Sequence, residues 1–318
     1  MAKDVLIGID LGGTRLRVAR FSTDFQMQQR VETPTLAVEG LDSVVSRIVA
    51  EARAVWPTDG ETVSGVGVSV PGPTNPYTGI VVAPPNLPGW HNVPLADLLQ
   101  EALHTRVYLG NDANVAALAE AEHGAGQGYD HVIYLTVSTG IGSGIISARR
   151  LLLGNVGLAA ECGHLIMITE EGRVSTLEKE AAGPAIARQA RAALMAGTAS
   201  AILDHAEGKI EAVTAADVGM AAKAGDALAI KLIERAGRMM GLGIVSLLHT
   251  FNPQIIVIGG GVAEGTGDLL LRPMRAAIEQ YAIDRSYWES LIIMPAALGE
   301  NVSLIGAAEL VRHEQERA

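Results

Sequence analysis

The residues most able to do chemistry stand together in Gly110-Asn111-Asp112-Ala113-Asn114, directly after the apolar run 107–109. This pattern predicts a strand that stops at Gly110 and a helix that begins near Asn114. Because open α/β sheets bind ligands beyond the carboxyl ends of their strands, Asp112 is a candidate general base for a substrate hydroxyl. The alternative is that Asp112 or Asn114 only caps the helix, since both residue types are favoured there.

Two glycine-rich turns have the composition of phosphate-binding loops. The first is Asp10-Leu11-Gly12-Gly13-Thr14 and the second is Ser138–Gly144, each between two strand-like apolar runs. Consecutive backbone N–H groups in such turns form anion-binding concavities, and Asp10 is a candidate partner of Mg²⁺. Glycine is expected there for a positive φ or for close approach to phosphate. A single turn can be ordinary, but two predict a duplicated fold that holds one phosphate chain from both sides.

Candidate sugar ligands lie in the long loop 75–90, which follows the strand predicted at 63–70. Long loops between elements are more often functional than idle. Asn86 offers an amide and Trp90 an apolar face, which together suit a sugar.

Further polar candidates follow the second glycine turn. Glu161 and His164 flank Gly163, which permits close backbone approach. Glu178 is near the start of a helix predicted from Leu177 past Ala190. The alternatives are that His164 is a core or surface histidine and that Glu178 is a carboxylate favoured by the helix dipole.

The elements that must position these residues alternate between strands and helices. The other predicted elements are a helix at 41–55, strands at 132–137 and 165–168, a helix at 226–249, strands at 255–258 and 291–294, and a last helix from Ser303. Gly237, Gly241 and Gly243 inside the long helix indicate either close packing or a break. The run Gly259–Gly261 is either a tight turn or a contact to a nucleotide base or ribose.

Composition limits the class of protein. The 318 residues are 48% hydrophobic, enough for about two domains of ~150 residues with large cores. The net charge of −11 disfavours nucleic acid and anionic membranes but permits a nucleotide site built from backbone N–H groups. The single cysteine, Cys162, excludes an internal disulfide. With no signal peptide or membrane span in the pattern, we expect a soluble cytoplasmic protein.

The ordered set of motifs resembles the ROK family of bacterial sugar kinases and repressors, within the actin-like ATPase superfamily. The matching pieces cover nearly the whole chain. They are Asp10–Thr14, Pro71-Gly72, Asn86–Trp90, Gly110–Asp112, Thr139–Gly142, Glu161–His164, Leu177-Glu178 with Gly183, and Gly259–Gly261.

This resemblance implies an α/β fold of two ribonuclease-H-like domains around a central cleft. The smaller domain is expected to hold residues 1–116 and 304–318, and the larger one residues 117–303. Homodimers are common among such kinases, so a homodimer is expected.

The resemblance also implies roles for particular residues. Asp112 is expected to be the catalytic base. The implied sugar ligands are Gly72, Asn86, Asn111, Asp112, Glu161, His164 and Glu178. The candidate nucleotide-binding residues are Asp10, Gly12, Gly13, Thr14, Thr139, Gly140, Gly142, Gly260 and Gly261, with Asp10 also the candidate for Mg²⁺.

One stretch departs from the family pattern. Many such kinases carry a cysteine-rich zinc loop after the Glu-x-Gly-His motif, whereas residues 170–176 contain no cysteine. Structural zinc needs about four N or S ligands, which Cys162 and His164 cannot supply. The sequence therefore predicts a kinase without zinc.

The leading hypothesis is an ATP-dependent hexose kinase, with glucose preferred on family resemblance alone. N-acetylhexosamine, mannose and allose stay open as substrates, and polyphosphate stays open as the donor. A sugar-sensing repressor is disfavoured, because relatives of that kind carry a DNA-binding domain before the first turn and only nine residues precede Asp10. A catalytically silent sugar-binding protein is disfavoured by Asp112 together with both turns.

Overall fold

Helices and strands alternate along the chain in the computed structural model, which describes residues 4–58, 60–169 and 172–316. The strands are β1 (Asp4–Leu11), β2 (Arg15–Ser22), β3 (Met27–Pro34), β4 (Thr62–Val70), β5 (Thr74–Asn75), β6 (Ile80–Val81), β7 (Val107–Asn111), β8 (Val132–Val137), β9 (Ile141–Ser147), β10 (Arg150–Leu151), β11 (Ile166–Ile168), β12 (Val174–Thr176), β13 (Ile255–Gly259) and β14 (Ile292–Pro295). The α-helices are α1 (Leu41–Ala54), α2 (Leu95–Leu103), α3 (Asp112–His123), α4 (Leu177–Ala181), α5 (Gly183–Met195), α6 (Ile202–His205), α7 (Ala215–Lys223), α8 (Ala227–Phe251), α9 (Gly261–Thr266), α10 (Asp268–Tyr281) and α11 (Val302–Gln315).

The chain divides into two compact units. The first unit holds 1–128, 150–160 and 297–318, and the second holds 129–149 and 161–296. This division differs from the boundaries at 116/117 and 303/304 that the sequence suggested. The whole of α3 belongs to the first unit because it packs against α11, and the chain returns to that unit at Ala297 rather than at Leu304.

The first unit is built on a sheet with strand order β3-β2-β1-β4-β7. The predicted hairpin is present, since β1 and β2 pair antiparallel, with Asp10 opposite Arg17. The pairs β1/β4 and β4/β7 are parallel. The carboxyl ends of β1, β4 and β7 therefore lie at one edge of the sheet, and this edge carries Asp10, Ser69 and Asn111.

Glycines in the first sheet let helix α11 approach its backbone. A Cβ added at Gly8 would overlap the carbonyl of Leu304, and one at Gly67 would overlap the carbonyl of Ala307. On its other side α11 meets α3 at Gly306, where a Cβ would overlap the carbonyl of Val115. Helix α3 is buried over nearly its whole length as a result.

The second unit repeats the connectivity of the first. Its strands include the order β9-β8-β13-β14, in which β8 and β9 pair antiparallel and β13 runs parallel to β8 and β14. The arrangement matches β2-β1-β4-β7, so the prediction of a duplicated α/β fold is confirmed. The long helix α8 is unbroken, and its glycines serve close packing: a Cβ at Gly237 would lie 2.7 Å from Cγ of Pro273 on α10.

Two predicted helix boundaries were wrong. Helix α3 begins at Asp112 rather than near Asn114, because Asn111 is its N-cap. The helix predicted from Leu177 past Ala190 is interrupted at Ala182, whose extended backbone ends α4 and serves as the N-cap residue of α5. Among the described residues, no helix combines the length and apolar character needed to cross a lipid bilayer.

Candidate active site

Asp10 at the end of β1 is paired with a cation from the neighbouring strand. Nε and Nη2 of Arg17 both donate to Oδ2 of Asp10, at 2.9 and 2.5 Å, and both side chains are largely buried. Nη1 of Arg17 donates to the carbonyl of Glu300 at 2.6 Å. The hairpin register thus fixes one oxygen of Asp10 on a guanidinium.

The first glycine turn packs directly against a predicted sugar ligand. The N–H of Gly12 donates to the carbonyl of Arg15 at 2.9 Å, so this amide closes the turn. A Cβ at Gly13 would lie 2.7 Å from both Cβ and the carbonyl oxygen of Asn86. The carbonyl of Thr14 accepts from the N–H of Thr35 at 2.9 Å. The structure therefore brings the turn and Asn86 together, and Asn86 itself is exposed.

Asn111, and not Asp112 or Asn114, caps helix α3. Oδ1 of Asn111 accepts from the N–H of Ala113 at 2.9 Å, while its Nδ2 lies so close to Gly72 that a Cβ there would overlap it. Gly72 and Asn111, two of the sugar ligands that the resemblance implies, are thus adjacent.

Asp112 is the first residue of α3 and is exposed. Its Oδ1 accepts from the N–H of Ala113 at 2.8 Å, and a carboxylate at a helix N-terminus is stabilised by the helix dipole. Asn114 is buried on the core side, and its Oδ1 has no hydrogen-bond partner among the described residues. The carboxylate of Asp112 therefore faces solvent at the end of β7.

The sugar platform expected at Trp90 was a wrong prediction. Trp90 is 1% exposed and belongs to the hydrophobic core of the first unit. Large aromatic side chains contribute strongly to hydrophobic cores. The neighbouring Pro and Gly residues did not indicate whether the Trp90 side chain points into the core or toward solvent.

In the second unit the other glycine turn is attached to Glu178. Oε2 of Glu178 accepts from the N–H of Ile141 at 2.9 Å, and a Cβ at Gly140 would lie 2.6 Å from the same oxygen. The N–H of Gly183 donates to the carbonyl of Ser138 at 2.8 Å. The backbone at Gly13 and Gly140 does not have a positive φ, so the reason for glycine at both positions is close packing.

A short 3₁₀ helix, Cys162–His164, packs on β9, with Glu161 at its N-cap position and His164 as its last residue. A Cβ at Gly163 would overlap the carbonyl of Ile141, and the N–H of Cys162 donates to Oγ of Ser143 at 3.0 Å. Both Glu161 and His164 are exposed. Burial raises the pKa of the Cys162 thiol, so this thiol stays protonated and unreactive at neutral pH.

A cavity of about 660 Å³ opens beside the second turn. Its lining includes Ser138 and Thr139 of the turn and Gly261 at the start of α9. Gly260, just before α9, has a φ of 92° and leaves no room for a Cβ, which would lie 2.5 Å from the carbonyl of Val137. Gly142 lies opposite Thr136 in the β8/β9 ladder rather than in this lining.

Sequence reasoning missed most of the cavity wall, which α5 and α7 supply. The residues it missed include Pro184, Arg191, Val213, Thr214, Met220 and Lys223. Arg191 donates to the carbonyls of Val213 at 3.0 Å and Glu211 at 3.4 Å, so the protein already holds its guanidinium. Two signals in the sequence could have placed helix starts here, the capping box of Thr214 and Asp217 for α7 and Pro184 in the first turn of α5.

The described residues contain no group of three or more His, Cys, Asp or Glu side chains arranged to hold a metal ion. Glu170 and Glu171, at the start of the cysteine-free stretch, lie outside the described residues.

The sequence matches the family model described as ROK family over residues 6–314. It is 35% identical to a glucokinase of Thermotoga maritima over 317 residues, which covers 98% of each chain. The structure is similar to that of a ROK hexokinase from Thermus thermophilus, with a TM-score of 0.82, 32% identity and coverage of 99% of this chain and 100% of that one.

A second solved structure, of a ROK family glucokinase from Streptomyces griseus in complex with glucose and AMPPNP, has a TM-score of 0.77 and 30% identity. It covers 97% of this chain and 99% of that one.

Proposed function

The chain belongs to the ROK family, and from that premise we propose that it phosphorylates a hexose, glucose first among candidates, with ATP as donor and Asp112 as general base. The observation that carries the proposal is the exposed carboxylate of Asp112 at the junction of β7 and α3, in the same unit as the first glycine turn. Glucose is the first candidate substrate because this chain matches two glucokinases over almost their entire length.

In the proposed reaction Asp112 accepts the proton of a sugar hydroxyl, the one on C6. As the proton leaves, the hydroxyl oxygen forms a bond to the γ-phosphorus of ATP, and the bond from that phosphorus to the bridging oxygen breaks. The electron pair leaves with ADP. Catalysis of phosphoryl transfer is mostly positioning and electrostatic stabilisation, which suits one carboxylate with glycine turns for the phosphates.

The cavity of the second unit supports a nucleotide donor over polyphosphate. Its wall is largely apolar, with Val213, Met220 and Pro184 available for a flat base. A chain of phosphates alone offers nothing to bury against such a wall. Thr139, Gly140, Gly260 and Gly261 are proposed to contact the nucleotide.

Asp10 is the residue that would hold Mg²⁺. Magnesium sites usually use one or two carboxylates, with waters and substrate phosphates as the other ligands. Arg17 occupies Oδ2 of Asp10, which leaves Oδ1 as the proposed metal-facing oxygen. When bound, Mg²⁺ supplies charge neutralisation on the phosphates.

The sugar roles are proposed residue by residue. Asn111 and Asn86 would donate amide hydrogens to hydroxyl groups, and Gly72 would allow the sugar to approach the backbone. Glu161, His164 and Glu178 are proposed to bind hydroxyl groups from the second unit.

Replacing Asp112 by asparagine tests the general base. Asp112→Asn keeps the shape but cannot accept the proton, so kcat should fall by about 10²–10⁴-fold while calorimetry shows near-normal sugar affinity. Asp97→Asn is the matched control, because Asp97 is also an exposed carboxylate in the first turn of a helix, α2. Near-normal kcat in Asp112→Asn would reject the assignment of Asp112 as general base. An equal loss of kcat in Asp97→Asn would also reject it, because the loss would then not be specific to Asp112.

A further inference from the structure

A second concavity, named here the basic groove, lies in the second unit between helices α8 and α10. Its volume is about 430 Å³. Lys231, Arg235 and Arg238 line it from α8, and Pro273, Ala277 and Gln280 line it from α10. The cavity assigned to the nucleotide has no lining residue in common with it.

Helix geometry gathers the three cations on one side. Residues spaced by four and three positions on an α-helix share a face, and this is the spacing of Lys231, Arg235 and Arg238. Three cations on one face stand out in a chain with a net charge of −11. Lys231 is exposed and has no ion-pair partner among the described residues. Such a face attracts anions.

The central cation is held in place from behind. Nη2 of Arg235 donates to Oε2 of Glu180 at 2.5 Å, and its Nη1 donates to the carbonyl of Glu180 at 3.2 Å. Glu180 is 5% exposed and also accepts from Oγ of Ser175 at 2.6 Å. A guanidinium fixed by two bonds has less conformational freedom to lose when a ligand arrives.

We propose that the basic groove binds a phosphate monoester carried on a hydroxylated body, the chemistry of a sugar phosphate. Lys231 and Arg238 would bind the phosphate. The ammonium of lysine and the guanidinium of arginine both form charge-assisted hydrogen bonds to phosphate oxygens. Pro273 and Ala277 give an apolar floor for a sugar ring, and the amide of Gln280 is placed for hydroxyl groups. The choice of a sugar phosphate over free inorganic phosphate rests on the proposed function, which would make one.

Occupancy of the groove would be transmitted to the second glycine turn. Arg235 is bonded to Glu180 on α4, and the same short helix carries Glu178, which accepts from the N–H of Ile141 in the turn. An anion that shares Arg235 weakens its hold on Glu180 and so loosens α4. We therefore expect partial inhibition that added substrate does not relieve.

The basic groove also contains one negative charge, so the proposal predicts that some substitutions tighten binding and others weaken it. Glu234 lines the groove, and its carboxylate repels a phosphate. Glu234→Gln should therefore tighten binding by about 3-fold, whereas Lys231→Gln and Arg238→Gln should each weaken it by about 5-fold, the scale of one exposed charge interaction. Lys209→Gln, which removes an exposed lysine elsewhere in the second unit, should change nothing.

The experiment is a calorimetric titration of glucose 6-phosphate, and separately of inorganic phosphate, into the full chain. Saturating glucose, Mg²⁺ and a non-hydrolysable ATP analogue are present to block the proposed active site, and a parallel series omits them. Initial rates at saturating glucose and ATP should fall about 3-fold with added glucose 6-phosphate in the wild-type chain, and Lys231→Gln, with an unchanged basal rate, should need about 5-fold more of the ester for the same fall.

Equal affinities in the wild-type chain, Lys231→Gln and Arg238→Gln would overturn the proposal. Equal affinity for both ligands would support the phosphate site and overturn the sugar phosphate as its specific occupant. The titration measures binding and needs no turnover. If the proposed kinase activity were wrong, the chain would not consume ATP but would still bind the ester in the basic groove, so the two failures can be told apart.

Discussion

Glu178 bonds to the second glycine turn and is also a proposed sugar ligand. Its carboxylate accepts from the N–H of Ile141 in the second glycine turn, and the family resemblance assigns the same carboxylate to the sugar. The backbone that was expected to be open to phosphate is thus partly occupied by a protein carboxylate. Whatever moves Glu178 should therefore affect sugar and nucleotide together.

Alanine at Gly140 tests this coupling. The new Cβ would lie 2.6 Å from Oε2 of Glu178 and must displace the carboxylate from the N–H of Ile141. We expect both sugar and nucleotide affinity to fall by about 10-fold, the size of one charge-assisted hydrogen bond. Calorimetry with each ligand alone measures this.

Gly261→Ala is the matched control for Gly140→Ala. A Cβ at Gly261 meets nothing within 4 Å, so sugar affinity should stay unchanged and only an approaching nucleotide would be affected. If Gly140→Ala bound sugar like the wild-type chain, Glu178 would not link the turn to the sugar.

At the residue scale the sequence indicated which residue types matter but not their partners. It placed Asn111 and Asp112 at the strand end, but the alternative it kept open gave the cap to Asp112 or Asn114 and not to Asn111, because Asn and Asp are equally favoured caps. Asp10 pairs with Arg17 because the two residues lie opposite each other in the β1/β2 hairpin. This register depends on the turn type and length, which the glycine pattern alone did not define.

The length of an element was easier to predict than its interruptions. The hairpins and buried strands followed from apolar runs of four to eight residues between glycine turns. The break at Ala182 was missed although Gly183-Pro184 signals it, because proline is disfavoured in the middle of a helix and is favoured in its first turn. The wall of the cavity beside the second glycine turn was missed because its residues come from separate elements, α5 and α7, that meet only in the folded chain.

Helix α8 depends on its N-cap, Asp226. Partial burial opposes the charge of Asp226, but hydrogen bonds from the N–H groups of Ala229 and Ala201 and the hydroxyl of Ser200 hold its pKa below the ordinary 3.8. Because folding lowers this pKa, the stabilisation is complete above 3.8 and is lost as pH falls through the folded value. Asp226→Ala should cost about 1–2 kcal/mol at pH 7, and less at pH 3.

Urea unfolding at pH 7, 5 and 3 measures the effect of Asp226→Ala. Asp284→Ala is the control, because Asp284 caps only the short 3₁₀ helix Arg285–Tyr287 and is exposed, so its midpoint should not move. A deficit for Asp226→Ala that stays constant with pH would show that the ionised cap is not the cause.

The approach of α11 to the first sheet makes a graded prediction. Gly67→Ala would overlap the backbone carbonyl of Ala307, which cannot move alone, and should destabilise the chain by about 3 kcal/mol. Gly65→Ala overlaps no backbone atom, since its one close contact is Cγ1 of Val311 at 2.6 Å, and it should cost less, about 1 kcal/mol. Equal unfolding midpoints of the two variants would contradict this packing.

At the scale of the whole molecule, the duplicated connectivity was predictable and the division of the chain was not. Two strand–turn–strand patterns carrying similar glycines indicated two related units. Where the chain returns to the first unit depends on which residues pack on α3 and its neighbours. Fully buried Glu120, for example, accepts from the N–H groups of Ala297 and Leu298. No sequence motif predicts such a long-range contact.

The absence of zinc remains a prediction for the whole molecule. Cys162 is the only thiol in the sequence, and burial raises its pKa, which disfavours the thiolate that binds metal. Metal analysis of the purified chain should find no stoichiometric zinc. A zinc-selective chelator, with Mg²⁺ in excess, should leave activity and Tm unchanged. One zinc per chain that is lost together with activity would reject the prediction.

The position of α11 in the first unit has a consequence for synthesis on the ribosome. The sheet of β1, β4 and β7 is finished by residues 302–315, which are translated only after both segments of the second unit, 129–149 and 161–296. At roughly 5–20 residues per second, the faces around Gly8 and Gly67 wait on the order of ten to sixty seconds for their covering helix. During that interval the nascent first unit exposes apolar surface, so it is the part of the chain that a ribosome-associated chaperone would meet first.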